Sequence, residues 1–234
     1  MVKRLILLLC LTLSGPVLQA RAELPSPVAH YTFDDGDAHE VTGSGREGRV
    51  HGAAPFRGIR GRSMSFDGQD DFISLGNLDI DSGEITMMAW MLAYSFRVHD
   101  ARIISKSTST AGNDHIFMLS TFDQHGARLR FRLKTDDGFP TKTYIAPLGH
   151  LYAGEWIHVA ATYDGRHMRL FKDGVEVGKT SKTGRVAMDP RIPVWIGRNP
   201  DGRRPFHGLI DDVRIYDRAL SAQQIRAIIE EGNQ

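Results

Sequence analysis

The chain has 234 residues, with 29 basic and 28 acidic side chains, one cysteine and 41% hydrophobic residues. A charge this evenly balanced, with no block of one sign, argues against a nucleic acid or a membrane surface as the partner. The length suits one all-β domain, and a chain without disulfides must be held by its core, or by its core and a metal.

The first 22 residues predict a secretory signal peptide. Lys3 opens a positive start, the apolar run 5–13 is too short to span a membrane as a helix, and an A-x-A cleavage signature ends at Ala22. An uncleaved N-terminal anchor is the alternative. Cleavage removes Cys10 and leaves a domain over 23–234. We therefore expect a secreted protein, extracellular or periplasmic, with no membrane span after cleavage.

Short segments of alternating polarity recur along the rest of the chain and are separated by turns rich in Gly and Asp. Many short strands of this kind predict a sandwich or jelly roll rather than an α/β fold. No internal repeat and no linker indicates a second domain. The predicted strands span 28–33, 63–66, 72–75, 85–92, 102–105, 116–121, 128–134, 143–146, 194–196 and 209–216, with a hairpin over 156–174 before the last two.

That hairpin, WIHVAATYDGRHMRLFKDG, is the most informative part of the chain. Apolar side chains at every second position of its first strand, 157–163, predict one face turned toward a core. Asp173-Gly174 follows the second strand and predicts a type I′ turn, because both central residues of that turn need positive φ. His158 lies on the opposite face, where we expect a structural role.

One helix is specified near the C-terminus. Ser221 is the expected N-cap and Gln224 completes a capping box, while Leu220 is placed to pack on Ile225 as a hydrophobic staple. Gly232 marks the expected end of the helix. We expect this helix to pack on an edge of the sandwich.

Several segments, in chain order, resemble those of the laminin G-like, concanavalin A-like jelly-roll domain of secreted bacterial proteins. They read HYTFDD, RSMSFDGQDDFISLG, TMMAWMLA, the hairpin, VWIGR and FHGLIDDVRIYDRALSAQQI, and together they cover nearly all of 28–229. The resemblance implies an all-β, two-sheet antiparallel jelly-roll sandwich with a short C-terminal helix.

The resemblance also implies which aromatic residues fill the space between the sheets. Each could instead be a platform on which a sugar ring stacks, but they fall on apolar alternating runs, so we expect them in the core. These expected core residues are Phe33, Phe66, Phe72, Trp90, Phe131, Trp156, Tyr163 and Trp195.

Catalytic patterns are absent from the sequence. Hydrolases of the laminarinase type on this fold carry Glu-x-Asp-x-Glu on one strand, and none of the eight Glu residues forms an alternating pair of that kind. There is no G-x-S-x-G elbow, and the ten histidines include no H-x-x-x-H pair. We therefore expect that the protein is not an enzyme.

Acidic side chains gather after the first predicted strand and at the start of the last one. In jelly rolls that resemble this chain these strands are neighbours, and family members often hold a structural calcium through an N-terminal and a C-terminal Asp. Glu40 stands where the family often has an Asp. Hard oxygen ligands suit Ca²⁺, whereas Asp at strand ends can also cap backbone amides. The implied calcium ligands are Asp34, Asp35, Glu40, Asp211 and Asp212.

Two basic patches stand out. Period two puts Arg128, Arg130, Arg132 and Lys134 on one face of one strand. Such a face could hold an acidic glycan, since arginine recognises carboxylate and sulfate groups in a bidentate manner, or it could be a solvated outer face neutralised by Asp. The second patch lies in the loop NPDGRRP and is interpreted as a solvated loop. Its members are Arg198, Arg203 and Arg204.

The sequence as a whole indicates a secreted, non-catalytic module that binds carbohydrate, with a polysaccharide or glycoconjugate as its partner. A protein-interaction or structural module of the cell envelope, with other secreted proteins as partners, is the alternative, and a hydrolase or lyase with a dispersed site is the third hypothesis. Loops host recognition on rigid sandwiches. The expected ligand-binding residues are Tyr94, Phe96, Arg97, Asn113, His115, Phe139 and Arg203.

Overall fold

The structure is a computed structural model and describes residues 24–231. The predicted signal peptide and Gly232, the expected end of the helix, lie outside the described residues. Within 24–231, no helix is long and apolar enough to cross a membrane.

Fifteen strands and one α-helix make up the described part of the chain. The strands up to the middle of the chain are β1 (Ala29–Tyr31), β2 (Arg49–His51), β3 (Ala54–Arg57), β4 (Arg62–Asp67), β5 (Phe72–Ser74), β6 (Ile85–Ala93), β7 (Arg102–Ser107) and β8 (His115–Asp123). The remaining elements are β9 (Ala127–Leu133), β10 (Lys142–Ile145), β11 (Trp156–Tyr163), β12 (His167–Lys172), β13 (Val175–Ser181), β14 (Val194–Ile196), β15 (His207–Tyr216) and α1 (Ala222–Glu231).

The strands form two antiparallel sheets that face each other, so the predicted jelly-roll sandwich is confirmed. One sheet has the order β13-β12-β11-β6-β15-β4-β3, with β1 also paired to β15, and the other has the order β10-β9-β8-β7-β14-β5-β2. Side chains from both sheets form one buried core between them. Phe33, Phe66, Phe131 and Tyr163 belong to it, as predicted.

The hairpin over β11, β12 and β13 has the predicted geometry. Ile157, Val159 and the alternate residues that follow them are buried in the core. Asp173 and Gly174 have φ values of 50° and 73°, as a type I′ turn requires. The Asp173 carboxylate also accepts a hydrogen bond from the backbone N–H of His158 at 2.9 Å, which ties the turn to β11.

The prediction that all three tryptophans are core residues is wrong. Trp90, Trp156 and Trp195 are half-buried, and so is Phe72. The physical reason is the strand period: Trp156 has the opposite parity to Ile157, and Trp90 the opposite parity to the buried neighbours on either side of it. These four rings therefore lie on the outer faces of the sheets.

The C-terminal helix begins as predicted. The Gln224 N–H donates to Ser221 Oγ at 3.2 Å, and the Ser221 N–H donates to Gln224 Oε1 at 2.9 Å, which is the reciprocal bonding of a capping box. Its position differs from the expected edge: Leu220, Ile225 and Ile228 pack on Met88, Ala160, Phe171 and Tyr216, which come from four adjacent strands. The helix thus covers the outer face of the eight-stranded sheet.

The antiparallel order sorts the connections between strands into two sets. The upper end of the sandwich, as we call it, carries the connections 68–71, 94–101, 124–126, 146–155, 173–174 and 197–206. The lower end carries 75–84, 108–114, 134–141, 164–166 and 182–193. This division decides which candidate residues can act together.

Candidate functional site

A cavity of about 190 Å³ opens at the upper end, between three of the connections. His207, at the start of β15, lines it: its Nδ1 lies 3.0 Å from the Ser95 hydroxyl, and the exposed ring of Tyr94 meets the His207 ring edge-on at 5.4 Å. The residues that line the cavity are Asp67, Gly68, Ser95, Arg97, Val98, Ala101, Pro205 and His207.

An acidic turn borders this cavity. Asp67 ends β4, and Asp70 and Asp71 lie in the β4–β5 connection. Each offers one carboxylate oxygen within 4.8 Å of the others, and among residues 24–231 they are the only group of three potential metal-binding side chains so close together. Burial, followed by the charges of Asp67 and Asp70, raises the pKa of Asp71 above its ordinary value. The three carboxylates could therefore hold a cation, which would relieve their mutual repulsion.

A row of three aromatic rings starts directly after the acidic turn. Phe72 stacks on Trp195 with 3.7 Å between ring centroids, and on its other side it stacks on His51 at 4.3 Å. The three rings come from β5, β14 and β2 and lie on the outer face of the seven-stranded sheet. Arg198, three residues after Trp195, donates to the backbone carbonyl of Asp70 at 2.9 Å, so the row and the acidic turn are joined.

The seven predicted ligand-binding residues are divided between the two ends. Tyr94, Phe96, Arg97 and Arg203 lie in upper connections, and Arg97 lines the cavity beside His207. Sequence reasoning missed His207 and the acidic turn. The segment SFDGQDDF does carry a signal for that turn, because it places three Asp residues around one Gly.

The other three predicted residues lie elsewhere. Asn113 is in a lower connection, and Phe139, 70% exposed, borders a shallow groove of about 400 Å³ at the lower end. His115 is fully buried at the start of β8, where its Nε2 lies 3.3 Å from Arg102. Burial and the adjacent charges of Arg102 and Arg132 lower the pKa of His115 to about 3, so the ring is neutral.

The structure gathers three of the five predicted metal ligands at one place. β1 pairs with β15, as the resemblance implied, and Asp34, Asp211 and Asp212 line a cavity of about 210 Å³ together with His30 and Arg60. Each of the three already accepts hydrogen bonds: Asp34 from the Arg62 N–H, Asp211 from three backbone amides, and Asp212 from His30, Arg60 and Arg214.

The remaining two predicted ligands do not join them. Glu40 is buried and accepts bonds from the backbone N–H groups of His30, Thr42 and Ser44, and Asp35 is exposed and does not line the cavity. These acidic residues thus serve largely as caps and ion-pair partners. Calcium binding by this set stays a prediction.

Asp211 and Asp212 have opposite electrostatic states. Burial raises the pKa of Asp211 to about 7, although three backbone amides donate to it. Burial would also raise the pKa of Asp212, but the hydrogen bond from His30 and the charge of Arg214 hold it well below its usual range. Two carboxyl groups whose pKa values differ in this way could supply an acid and a base. Here both carboxyl groups are engaged by donors that fix the chain.

The two basic patches of the sequence meet on the outer face of the seven-stranded sheet. Arg130 of β9 pairs with Asp100 at 2.9 Å, and Arg204, from the loop 197–206, pairs with the same carboxylate at 2.9 Å. Arg102 adds a third contact to Asp100 at 3.4 Å. Of the first basic patch, Arg130 is only 3% exposed, whereas Arg128 and Arg132 are half-buried and Lys134 is exposed, so the face is covered only in part.

Comparison with protein families shows the family of this chain. The model of the concanavalin A-like lectin/glucanases superfamily, Laminin_G_3, matches residues 67–226. The chain belongs to this family. The match runs from the acidic turn through the hairpin to the C-terminal helix of this laminin G-like domain.

Two curated relatives are much longer than this laminin G-like chain. Pappalysin-1 of Mus musculus is 30% identical over 129 residues, which are 52% of this chain and 8% of pappalysin-1. The adhesion G-protein coupled receptor V1 of Danio rerio is 26% identical over 131 residues, which are 55% of this chain and 2% of the receptor. The match therefore spans less than a tenth of each relative.

Among solved structures, domain 4 of AbnA, a GH43 extracellular arabinanase from Geobacillus stearothermophilus, in complex with arabinotriose, is similar with a TM-score of 0.70 and 21% identity. The alignment covers 88% of this chain and 99% of that domain. A putative carbohydrate binding protein from Bacteroides ovatus aligns with a TM-score of 0.54 and 19% identity, over 70% of this chain and 45% of that one. At these identities the likeness shows the shared fold.

Proposed function

We propose that this laminin G-like domain is a secreted, non-catalytic module that binds an extracellular polysaccharide or glycoconjugate at its upper end. The observation that carries the proposal is the aromatic row of His51, Phe72 and Trp195, which adjoins the acidic turn. Aromatic faces and nearby charged or amide groups are the combination that recognises rings bearing hydroxyl groups. The complex of AbnA domain 4 with arabinotriose, on the same fold, supports it.

The polar contacts would come from the cavity beside the row. Arg97 and His207 line this cavity and can donate or accept hydrogen bonds, and the exposed ring of Tyr94, in contact with His207, can cover a sugar face. The exposed Arg203 lies in one of the upper connections and extends the proposed surface, whereas Phe96 is half-buried and packs against the core. Asn113, His115 and Phe139 are left out, because two lie at the other end and one is buried.

The non-catalytic part of the proposal is supported by the contacts of Asp211 and Asp212, the adjacent pair whose pKa values are shifted in opposite directions. A retaining glycosidase needs two carboxyl groups about 5 Å apart that are free to reach the substrate. Asp212 accepts hydrogen bonds from Arg60 and Arg214, and Asp211 accepts them from the backbone of the β3–β4 turn. If either carboxyl group turned toward a substrate, it would break contacts that hold the fold.

We also propose a calcium ion at the acidic turn. Three carboxylate oxygens within 4.8 Å match the hard oxygen donors that Ca²⁺ prefers, and backbone carbonyl groups or water can complete a shell of six to eight ligands. An ion there would hold the β4–β5 connection beside the aromatic row, so it would support glycan binding through the shape of the turn.

The test of glycan binding compares aromatic residues at the two ends. Purified protein lacking residues 1–22 is screened on a glycan array, and affinity for the best glycan is measured by calorimetry. We expect Trp195→Ala and Tyr94→Ala each to weaken binding about tenfold, which corresponds to about 1.4 kcal/mol. Phe139→Ala is the matched control, an exposed ring at the lower end, and should leave affinity unchanged.

Two results would contradict the proposal: no binding to any glycan, or equal loss of affinity in all three variants. Sugar release from a polysaccharide panel, abolished by Asp211→Asn, would overturn the non-catalytic assignment.

A protein ligand is the second candidate. Leu148, Tyr152 and Val175 are each more than half exposed, and the loop that carries the first two hydrogen-bonds to β13 through Leu148 N–H and the Val177 carbonyl. Exposed apolar side chains beside an edge strand are typical of protein contacts. Capture of an envelope protein that Leu148→Ser abolishes, together with a negative glycan array, would favour this function.

A further inference from the structure

Four arginines from three separate segments of the chain come together on the outer face of the seven-stranded sheet, and three of them contact one carboxylate. Arg102, Arg130 and Arg204 all contact Asp100. Arg132 lies beside them and reaches the carbonyl of Thr110 at 3.2 Å and His115 Nδ1 at 3.3 Å. We call Arg102, Arg130, Arg132 and Arg204 the arginine cluster.

The arginine cluster carries more positive charge than its contacts neutralise. Asp100 is the one carboxylate that the described contacts give it, and His115 adds no negative charge because its ring is neutral. Burial and the adjacent charge of Arg130 lower the pKa of Arg102 to about 9. Buried like charges are costly unless an opposite charge compensates them, so the cluster favours a further anion.

The cluster has an inner and an outer pair. Arg102 and Arg130 are 0% and 3% exposed and lie against the sheet. Arg132 is half-buried, and the side chain of Arg204 is 37% exposed. Arg204 also has a φ of 60°, a conformation that L-residues with a side chain rarely adopt. The loop 197–206 thus accepts backbone strain where it places a guanidinium group over the sheet, and such strain is common at binding sites.

The cluster is also continuous with the proposed glycan surface. Arg204 and Arg203 belong to the loop that ends at His207, and Asp100 follows Arg97 in the neighbouring connection. Asn199, in the same loop, accepts hydrogen bonds from Arg102, Ser105 and Ser107, which fixes that loop on the sheet. A glycan seated at the upper end could therefore place a substituent against the outer pair.

We propose that the arginine cluster binds an anionic substituent, a carboxylate or a sulfate ester, of an acidic polysaccharide. Arg132 and Arg204 make the direct contacts, and Arg102 and Arg130 supply charge from behind. This inference rests on the proposed function and narrows its ligand. Arginine suits the task because its planar group binds carboxylate and sulfate oxygens in a bidentate manner.

The test compares charged and neutral polymers. Binding of the protein without residues 1–22 is measured with polygalacturonate, dextran sulfate and uncharged dextran, and inorganic sulfate serves as a competitor. We expect at least one acidic polymer to bind about tenfold more tightly than dextran, with an affinity that falls as salt rises. The relative affinities for polygalacturonate and dextran sulfate show whether the cluster prefers a carboxylate or a sulfate ester. Displacement of the polymer by inorganic sulfate shows whether the cluster also binds the free ion.

Variants then locate the binding. Arg204→Gln and Arg132→Gln should each lose most of the preference for the acidic polymer. The matched control is Arg166→Gln, which removes the same charge from an exposed turn at the lower end and should change nothing. Equal melting temperatures for the three variants establish that each is folded.

The outcomes separate this inference from the proposed function. If neutral and acidic polymers bind equally, and Trp195→Ala abolishes both, the arginine assignment is overturned while the glycan-binding module stands. An acidic preference that Arg132→Gln and Arg204→Gln leave intact also overturns the assignment. No binding to any polymer or to the glycan array overturns both.

Discussion

Adjacent, chemically identical residues acquire opposite properties in this fold. Asp211 and Asp212 follow each other in β15, at a bulge in its pairing with β6. The bulge turns Asp211 toward the backbone amides of the β3–β4 turn and Asp212 toward His30, Arg60 and Arg214. Apart from Arg214 and the Asp212 N–H, their partners lie 151 to 182 positions away in the chain, so the contrast arises from tertiary contacts.

The raised pKa of Asp211 predicts a pH-dependent stability. Its ordinary pKa is 3.8 and its folded value is about 7, so the folded state holds the proton more tightly than the unfolded state. This contribution is fully present below pH 4 and is lost as pH rises through about 7, and it is of the order of a few kcal/mol. Urea unfolding should show the free energy of unfolding falling between pH 4 and 7 in the parent.

Asp211→Asn isolates this effect, because asparagine has nearly the same shape and does not titrate. The difference in the free energy of unfolding between variant and parent should move in favour of the variant as the pH rises. A difference that is constant from pH 4 to 7 would contradict the assignment to Asp211.

The outward position of the tryptophans changes the expected cost of removing them. Phe131 is fully buried between the sheets, so Phe131→Ala should lower the free energy of unfolding by about 3–5 kcal/mol. Trp156 is half-buried on the outer face, so Trp156→Ala leaves no enclosed cavity and should cost about 1–2 kcal/mol. Urea midpoints measure both, and an equal loss in the two variants would place Trp156 in the core after all.

At the scale of elements, the turn between β12 and β13 serves two purposes. Gly174 has a φ of 73°, and a Cβ there would lie 2.4 Å from Arg226 Cγ of α1. The Gly174 carbonyl also accepts a hydrogen bond from Arg226 at 3.0 Å. The turn thus closes the hairpin and docks the helix on the sheet.

A pair of glycine variants separates these purposes. Gly154 has a φ of 82°, and a Cβ at this position would meet no atom of residues 24–231 within 4 Å. Gly154→Ala therefore measures the cost of backbone strain alone, about 1 kcal/mol. Gly174→Ala adds the clash with Arg226 and should lower the melting temperature further. Equal melting temperatures would mean that the helix moves away at no cost.

Most strands that face the core were predictable, whereas two edge strands, β2 and β3, were not. The segment that forms β9 alternates strictly, whereas β6 and β11 are buried at nearly every position because α1 covers part of their outer face. β3 was missed: it lies at the edge of its sheet, contains Pro55 and is exposed at all four positions. Proline is tolerated at an edge, and without a buried face no alternation appears in the sequence.

For the whole molecule, a bound cation would raise stability by linkage. Calcium that binds the folded state alone stabilises it by RT ln(1 + [Ca²⁺]/Kd), about 2.7 kcal/mol at a hundredfold excess over Kd. We expect the melting temperature to rise with calcium and to fall with EDTA. Magnesium should replace calcium poorly, because it demands a tighter octahedral shell.

Two substitutions decide where the ion binds. Asp70→Asn removes a ligand from the acidic turn, and Asp34→Asn removes one of the carboxylates between β1 and β15. Loss of the calcium response in the first variant and its retention in the second would support the acidic turn. Retention of the response in Asp70→Asn and its loss in Asp34→Asn would instead support the calcium site predicted from the resemblance. A melting temperature that changes with neither calcium nor EDTA would exclude both sites.

The sequence by itself determined the fold class, the hairpin turn and the helix cap, because each depends on residues within a few positions of one another. The residues of the Asp173-Gly174 turn need only their own φ values, and Ser221 and Gln224 need only each other. The tertiary structure alone decided the candidate site. His51, Phe72 and Trp195 stack across three strands, and Arg130 and Arg204 meet at Asp100, because strand order joins residues that the sequence separates by up to about 140 positions.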